Sequence, residues 1–311
     1  MADTNCEHCG GAGEFDPQLA FVRLAARHDA LANVMSRFMA ATAAAPAGAA
    51  VGGAHAAMTA ELMREFDRIV GGKPTAGFPE CCLVGHRGSN GTIGWFCSGV
   101  LIHPQIVLTA GHCFLPANRA NVVALSAADQ NQLLHAELVN IRRLAVHPTY
   151  TQTKQVSDMT VIILRTPAKT PPAPIATTAE LAAATSVTLV GFGNEDVNST
   201  KGFGVKREVE VDITSIRRTP TDNLDADEHR LGFESDLEFV AGGEGFDTCN
   251  GDSGGPVYLR ADAVMKLAGL TSRATETATH NCGDGGIYTR IDVHMDFVRQ
   301  VARDAGLTNL P

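Results

Sequence analysis

The pattern of apolar and polar positions changes at about residue 69. Upstream, between Pro17 and Ala45, apolar side chains at Leu19, Val22, Leu24, Leu31, Val34, Met35 and Phe38 recur at roughly helical spacing. The run PAGAAVGG, residues 46–53, interrupts them, and a short second helix is expected from about Ala56 to Phe66. This Ala-rich stretch has too little apolar content for a core of its own. Residues 1–68 therefore read as a pro-, regulatory or linker segment, and residues 69–311 as the folded domain. From Ile69 onward, short apolar runs of strand type recur at Val100–Ile102, Ile106–Leu108, Val122–Leu125, Thr160–Leu164, Val187–Val190, Val209–Ile213, Val257–Leu259 and Leu267–Leu270, separated by Gly, Pro, Asn and Asp. Many short strands so spaced predict an all-β sandwich or barrel. Val293, Phe297, Val298 and Val301 predict a closing helix over Val293–Ala305. The acidic stretch 195–246 is expected to hold a long surface loop.

Composition narrows the classes. At 311 residues, 19% charged and 44% hydrophobic, the chain is globular in type and long enough for one large all-β domain or two smaller ones. Its formal net charge of −9 excludes nucleic acid as the main partner, because a phosphate backbone selects a basic face. No uncharged apolar run reaches the ~18 residues of a membrane span. The opening MADTNCEHCGG lacks the basic and apolar regions of a signal peptide; MSRFMAATAAAPAGAA would form a weak export signal only if translation began at Met35. The eight cysteines point the other way, toward an oxidising extracellular or periplasmic compartment. These two indications disagree, and the compartment stays open at this level.

Three segments carry candidate chemistry: LTAGHC (108–113), SDMTVIIL (157–164) and DTCNGDSGGP (247–256). They place His112, Asp158 and Ser253 in that chain order. A serine hydroxyl needs an adjacent base to become a nucleophile. Imidazole suits that task near neutral pH, and a buried carboxylate fixes its tautomer and stabilises its cation. The apolar run after Asp158 would bury that carboxylate at the start of a strand. Each residue alone has a plainer reading: a serine between glycines is usually a turn residue, a single histidine is usually surface or core, and an Asp before an apolar run is usually a cap. Together, in this order and with these flanks, they resemble the chymotrypsin/trypsin family of serine endopeptidases from Ile69 to about Leu307. Methionine and threonine at 159–160 are less usual there.

The resemblance implies two antiparallel six-stranded Greek-key barrels packed together with a C-terminal helix. It implies hydrolysis of protein or peptide substrates through an acyl-enzyme, with no metal and no cofactor. His112, Asp158 and Ser253 would be catalytic, and the backbone N–H groups of Gly251 and Ser253 would form the oxyanion hole. It also gives EFDRIVGG a meaning. Cleavage after Arg68, by an activating protease or by the enzyme itself, would free Ile69 as a new N-terminus, whose ammonium would pair with Asp252. The plainer alternative is a linker followed by a strand.

The resemblance further implies the disulfides Cys97–Cys113 and Cys249–Cys282. Asp247 would lie at the base of a specificity pocket that takes Arg or Lys, with Ser272, Ala274 and Gly286 in its walls; the alternative is a surface aspartate in a Gly-rich loop. Ser272 is also expected beside Asp158. Arg273 and Ala274 depart from the family's usual Trp-Gly, removing an apolar platform and adding a charge and a methyl group. If Arg is the preferred residue, Arg217-Arg218 is a second self-cleavage site. Cys6, Cys9, Cys81 and Cys82 match no usual family pair. They suggest either a disulfide tether to the N-terminal segment or a zinc site of four thiolates. Two rival functions remain: a non-catalytic binding protein on the same fold, with residues 1–68 docking a partner, or a protease that this segment holds in check.

Overall fold

The computed structural model describes residues 72–114, 120–196, 200–280 and 282–308. The two helices expected upstream, together with Cys6, Cys9, Arg68 and Ile69, lie outside the described residues. All described residues belong to the unit Glu61–Pro311.

Two closed antiparallel barrels make up this unit. The first comprises β2 (Cys81–Arg87), β3 (Ile93–His103), β4 (Ile106–Thr109), β5 (Val122–Leu125), β6 (Glu137–Val146) and β7 (Thr160–Leu164), in the order β2-β3-β4-β7-β6-β5 and closed by β5 on β2. The second comprises β8 (Ser186–Gly191), β9 (Arg207–Ser215), β10 (Glu238–Ala241), β11 (Pro256–Ala261), β12 (Val264–Ala274) and β13 (Gly286–Arg290), in the order β9-β10-β13-β12-β11-β8, closed by β8 on β9. A two-residue β1 (Lys73–Pro74) adds to the edge of β9. The expected pair of six-stranded barrels is therefore present.

Strands with both faces buried, such as β4, β5 and β7, read as continuous apolar runs. In β7, Val161 and Ile163 enter one cluster with Tyr258, Leu267 and the C-terminal helix, while Ile162 and Leu164 enter another made only of first-barrel residues and their flanking segments. A third cluster, including Leu189, Val211, Phe239 and Tyr288, fills the second barrel. Each fully buried aliphatic side chain contributes about 1.5–3 kcal/mol relative to exposure.

Among the described residues there are also three short α-helices: α1 (Thr178–Ala183), opened by a Thr177–Glu180 capping box, α2 (Asp225–Leu231) and α3 (Met295–Asp304). α3 begins later than expected. Asp292–His294 is a 3-10 turn, Val293 is exposed, and the buried face is Met295, Val298, Val301 and Ala302. The stretch 195–246 supplies β9, α2 and β10, joined by loop segments.

Cys81 and Cys82 are free and fully buried. As neighbours on one strand they point to opposite faces, Cys81 into the inter-barrel cluster and Cys82 into the first barrel. Burial pushes both thiols well above their ordinary pKa. Pointing to opposite faces, they cannot both serve one tetrahedral four-thiolate zinc site; the tether would involve Cys6 or Cys9, which lie outside the described residues.

Candidate active site

Strand register builds the first half of the site. β4 pairs antiparallel with β7, with Thr109 opposite Thr160, so the chain just after β4 lies beside the chain just before β7. His112 occupies a 3-10 turn (His112–Phe114) after β4, and the Cys97–Cys113 disulfide ties that turn to β3. Asp158 is 2% exposed. Its Oδ1 accepts the His112 backbone N–H at 2.8 Å, and its Oδ2 lies 2.7 Å from His112 Nδ1. Facing a carboxylate, Nδ1 is the donor, which leaves Nε2 as the acceptor. Ser272 Oγ donates to Asp158 Oδ2 at 2.6 Å, as expected. Burial pushes the Asp158 carboxyl up, but the hydrogen bonds from His112 and Ser272 outweigh it and hold its pKa below the ordinary value.

The second half is the turn Asn250–Gly255, seated on the first barrel. Ser98 N–H donates to Ser253 O at 3.0 Å, and Ser98 Oγ donates to Gly251 O at 2.9 Å. Gly254, at φ +75°, sits against Thr109 Oγ1 and Ala110 N, where a Cβ has no room. Gly251, at φ +100°, lies where a Cβ would be 2.5 Å from the Phe203 ring and 3.1 Å from Gly193 Cα. The amides of Asp252 and Gly254 are used, donating to Cys249 O and Thr271 O. Among the described residues, those of Gly251 and Ser253 donate to nothing, and the Ser253 hydroxyl makes no hydrogen bond.

Asp252 is fully buried. Gly193 N–H donates to Oδ1 at 2.7 Å and Cys249 N–H to Oδ2 at 2.8 Å. Burial pushes its pKa up to about 6 against those two bonds. Gly191 and Gly193 make room for this carboxylate; a Cβ at Gly193 would be 2.5 Å from Oδ2.

Asp247 is 2% exposed. Tyr288 O–H donates to its Oδ1 at 2.8 Å, and Thr248 N–H at 2.6 Å. Burial pushes it up to about 7. A Cβ at Gly286 would be 2.7 Å from Asp247 Oδ1 and 2.6 Å from Tyr288 Oη, so any other residue there would crowd both groups. Ala274 pairs with Gly286 across β12 and β13. The Cys249–Cys282 disulfide is formed beside this region.

One expectation changes here. Arg273 does not add net charge to the cleft, because Glu238, fully buried on β10, grips its guanidinium at 2.6 and 2.9 Å. Arg217 and Arg218, the second self-cleavage site expected, are engaged by hydrogen bonds rather than free, although Arg218 is exposed. Arg217 is bound by Ser235, the Asp222 carbonyl and Asp236, and Arg218 by the carbonyls of Ala182 and Ala184. Ser98, Gly193 and Glu238, which hold the site together, lie outside the three motifs, and nothing in their local spacing marks them.

Residues 69–298 match the family model described as Trypsin. The chain belongs to the trypsin family. Among its relatives, mouse Tryptase is 30% identical over 259 residues, spanning 78% of this chain and 91% of that protein. Serine protease snk of Drosophila melanogaster is 28% identical over 252 residues, 75% of this chain and 57% of that protein. Trypsin of Saccharopolyspora erythraea is 27% identical over 210 residues, 66% of this chain and 86% of that protein. This trypsin-family chain is accordingly a hydrolase, a serine endopeptidase.

Proposed function

We propose that the protein cleaves peptide bonds after Arg or Lys and is made as a zymogen. Ser253 attacks the scissile carbonyl while His112 Nε2 takes its proton and later delivers it to the leaving amine. Asp158 holds the imidazole and stabilises its cation. The amides of Gly251 and Ser253 receive the oxyanion. Asp247, at the base of the specificity pocket, pairs with the substrate cation. Cleavage between Arg68 and Ile69 supplies the ammonium for Asp252. The observation that carries this reading is the chain of hydrogen bonds from Ser272 through Asp158 to His112, beside a turn with two unused amides. The two disulfides among the described residues support an extracellular setting, where protein substrates and an activating protease would be met.

The test compares the full chain with an Arg68→Gln variant on chromogenic peptides ending in Arg, Lys, Phe or Ala, with N-terminal sequencing. Hydrolysis of the Arg and Lys peptides is expected only once Ile69 appears as a new terminus. A chain already beginning at Ile69 that cuts none of the peptides would instead favour a binding protein on this fold.

A further inference from the structure

Arg273 follows Ser272 on β12, and its guanidinium turns inward, with the side chain 17% exposed. Nη1 donates to Glu238 Oε1 at 2.6 Å and Nη2 to Glu238 Oε2 at 2.9 Å, the fork geometry that suits a carboxylate. The same two nitrogens reach two carbonyls: Nη1 donates to Gln155 O at 3.0 Å and Nη2 to Gly232 O at 2.8 Å. Gln155 lies in the loop that delivers Asp158, and Gly232 caps α2. Nη1 also approaches Ser272 Oγ at 3.4 Å, the hydroxyl that donates to Asp158. One guanidinium thus joins β12, β10, the end of α2 and the loop before Asp158.

That loop needs holding. Gln155 and Ser157 sit at φ +55° and +56°, a left-handed backbone that non-glycine residues adopt at a cost. The bond from Arg273 to Gln155 O ties down one of them. Stability alone is a poor reason to keep such a pair, because a buried ion pair is often no better than apolar residues of the same volume. Its location suggests a different reason.

We propose that Arg273 and Glu238 are a positioning pair for Asp158: they fix the loop that presents its carboxylate to His112, and they do so without adding net charge beside it. The proposal rests on the catalytic reading of His112, Asp158 and Ser253. The charged and titratable groups around Asp158 are His112 from the turn after β4, Tyr150 from the loop before β7, Glu238 from β10 and Arg273 from β12. Burial raises the Glu238 pKa, and the Arg273 bonds work against that rise. Removing Glu238's charge leaves a lone guanidinium near Asp158. Removing Arg273 leaves a buried carboxyl that takes up a proton.

Four variants of the activated chain separate position from field: Glu238→Gln, Arg273→Met, the double variant, and Arg273→Lys. Each is characterised by kcat, KM, the pH profile of kcat/KM, and thermal melting. In Glu238→Gln the uncompensated guanidinium disfavours a charged imidazole, so the acid limb moves to lower pH by several tenths of a unit. Arg273→Met leaves that limb in place, but lowers kcat roughly tenfold or more with little change in KM, as the Asp158 loop relaxes. The double variant returns the limb to the parental position and keeps the lowered kcat. Arg273→Lys stays low as well, because a point charge cannot bridge a carboxylate and two carbonyls. The proposal is overturned if the limb of Glu238→Gln coincides with the parental one. It is also overturned if Arg273→Met keeps kcat within about twofold, or loses it only as its folded fraction falls. Titration of the His112 Nδ1–H resonance by NMR reads the same shift in a chain that cuts nothing. An inactive enzyme with shifted titration therefore sinks the catalytic reading and keeps the pair, while an active one with unshifted titration does the reverse.

Discussion

Two buried carboxylates lie five positions apart, Asp247 just before the turn that carries Asp252, and their surroundings differ. Asp247 packs against Gly286, where a Cβ would have no room, and has neutral donors at Tyr288 and Thr248. Asp252 is enclosed by Gly191 and Gly193 and held by two amides. With burial pushing Asp247 up to about 7, its carboxyl holds a proton through mildly acid pH as long as no cation is bound to it. A bound cation must expel that proton, because the guanidinium pairs only with the ionised form. Affinity for benzamidine should therefore strengthen as pH rises from about 5 to 8 and level off above. Calorimetry in buffers of different ionisation heat should show proton release on binding near pH 6. A constant affinity across that range would mean that the ligand does not meet Asp247. At this scale the motifs were legible from the sequence, since GDSGGP and TAGHC carry their flanks with them. Their supports were not. Ser98 bridges to Gly251 from 153 positions away, and Glu238 lies 35 positions from Arg273, so only the fold brings either partner in.

At the scale of elements, a strand with both faces buried can read as an unbroken apolar run, as in β7, which is buried at every position, while β9 is legible although it alternates Val209, Val211 and Ile213 with Glu210 and Asp212. β6 escaped that reading because Glu137–Val146 carries Arg142 and Arg143 exposed and interrupts its apolar positions with a bulge. β10 escaped because its four residues begin with Glu238, a charge whose burial depends on Arg273. The same element logic places His112. Its turn is not a regular strand, and the Cys97–Cys113 bond anchors it to β3. Closing a loop with a sequence separation of 16 limits the unfolded chain by about 3 kcal/mol in the loop-entropy account. A Cys97→Ala/Cys113→Ala variant should lose about that much stability in urea unfolding. It should also lose activity at temperatures where it is still fully folded, because the His112 turn is freed as well. Stability loss with unchanged kcat would show that β4 and the Asp158 bonds hold the turn unaided.

At the scale of the whole molecule, the two barrels meet around the 247–256 turn, and the proposed activation step acts on the charge balance at that junction. Asp252 is buried there with no ion pair among the described residues, and burial pushes it up to about 6. The sign of the consequence follows from proton counting. An acid whose pKa is raised by folding holds more protons folded than unfolded between its unfolded value of ~3.9 and its folded value, so folding stability falls as pH climbs through that window. For Asp252 the window runs from about 4 to about 6, and the loss is on the order of 3 kcal/mol. An ammonium at Ile69 would keep the carboxylate charged and lower its pKa, removing most of that loss. The uncut and cut chains should therefore melt at similar temperatures near pH 4, and the cut chain should melt several degrees higher by pH 7. Scanning calorimetry of the Arg68→Gln chain beside a chain beginning at Ile69, both carrying Ser253→Ala to prevent self-digestion, measures that difference directly. An advantage that is constant with pH would assign the stabilisation to the apolar contacts of Ile69 and Val70 and leave Asp252 without the ammonium. If the cut chain gains nothing at any pH, the activation step fails at its physical root, because the buried carboxylate would have no use for the new terminus.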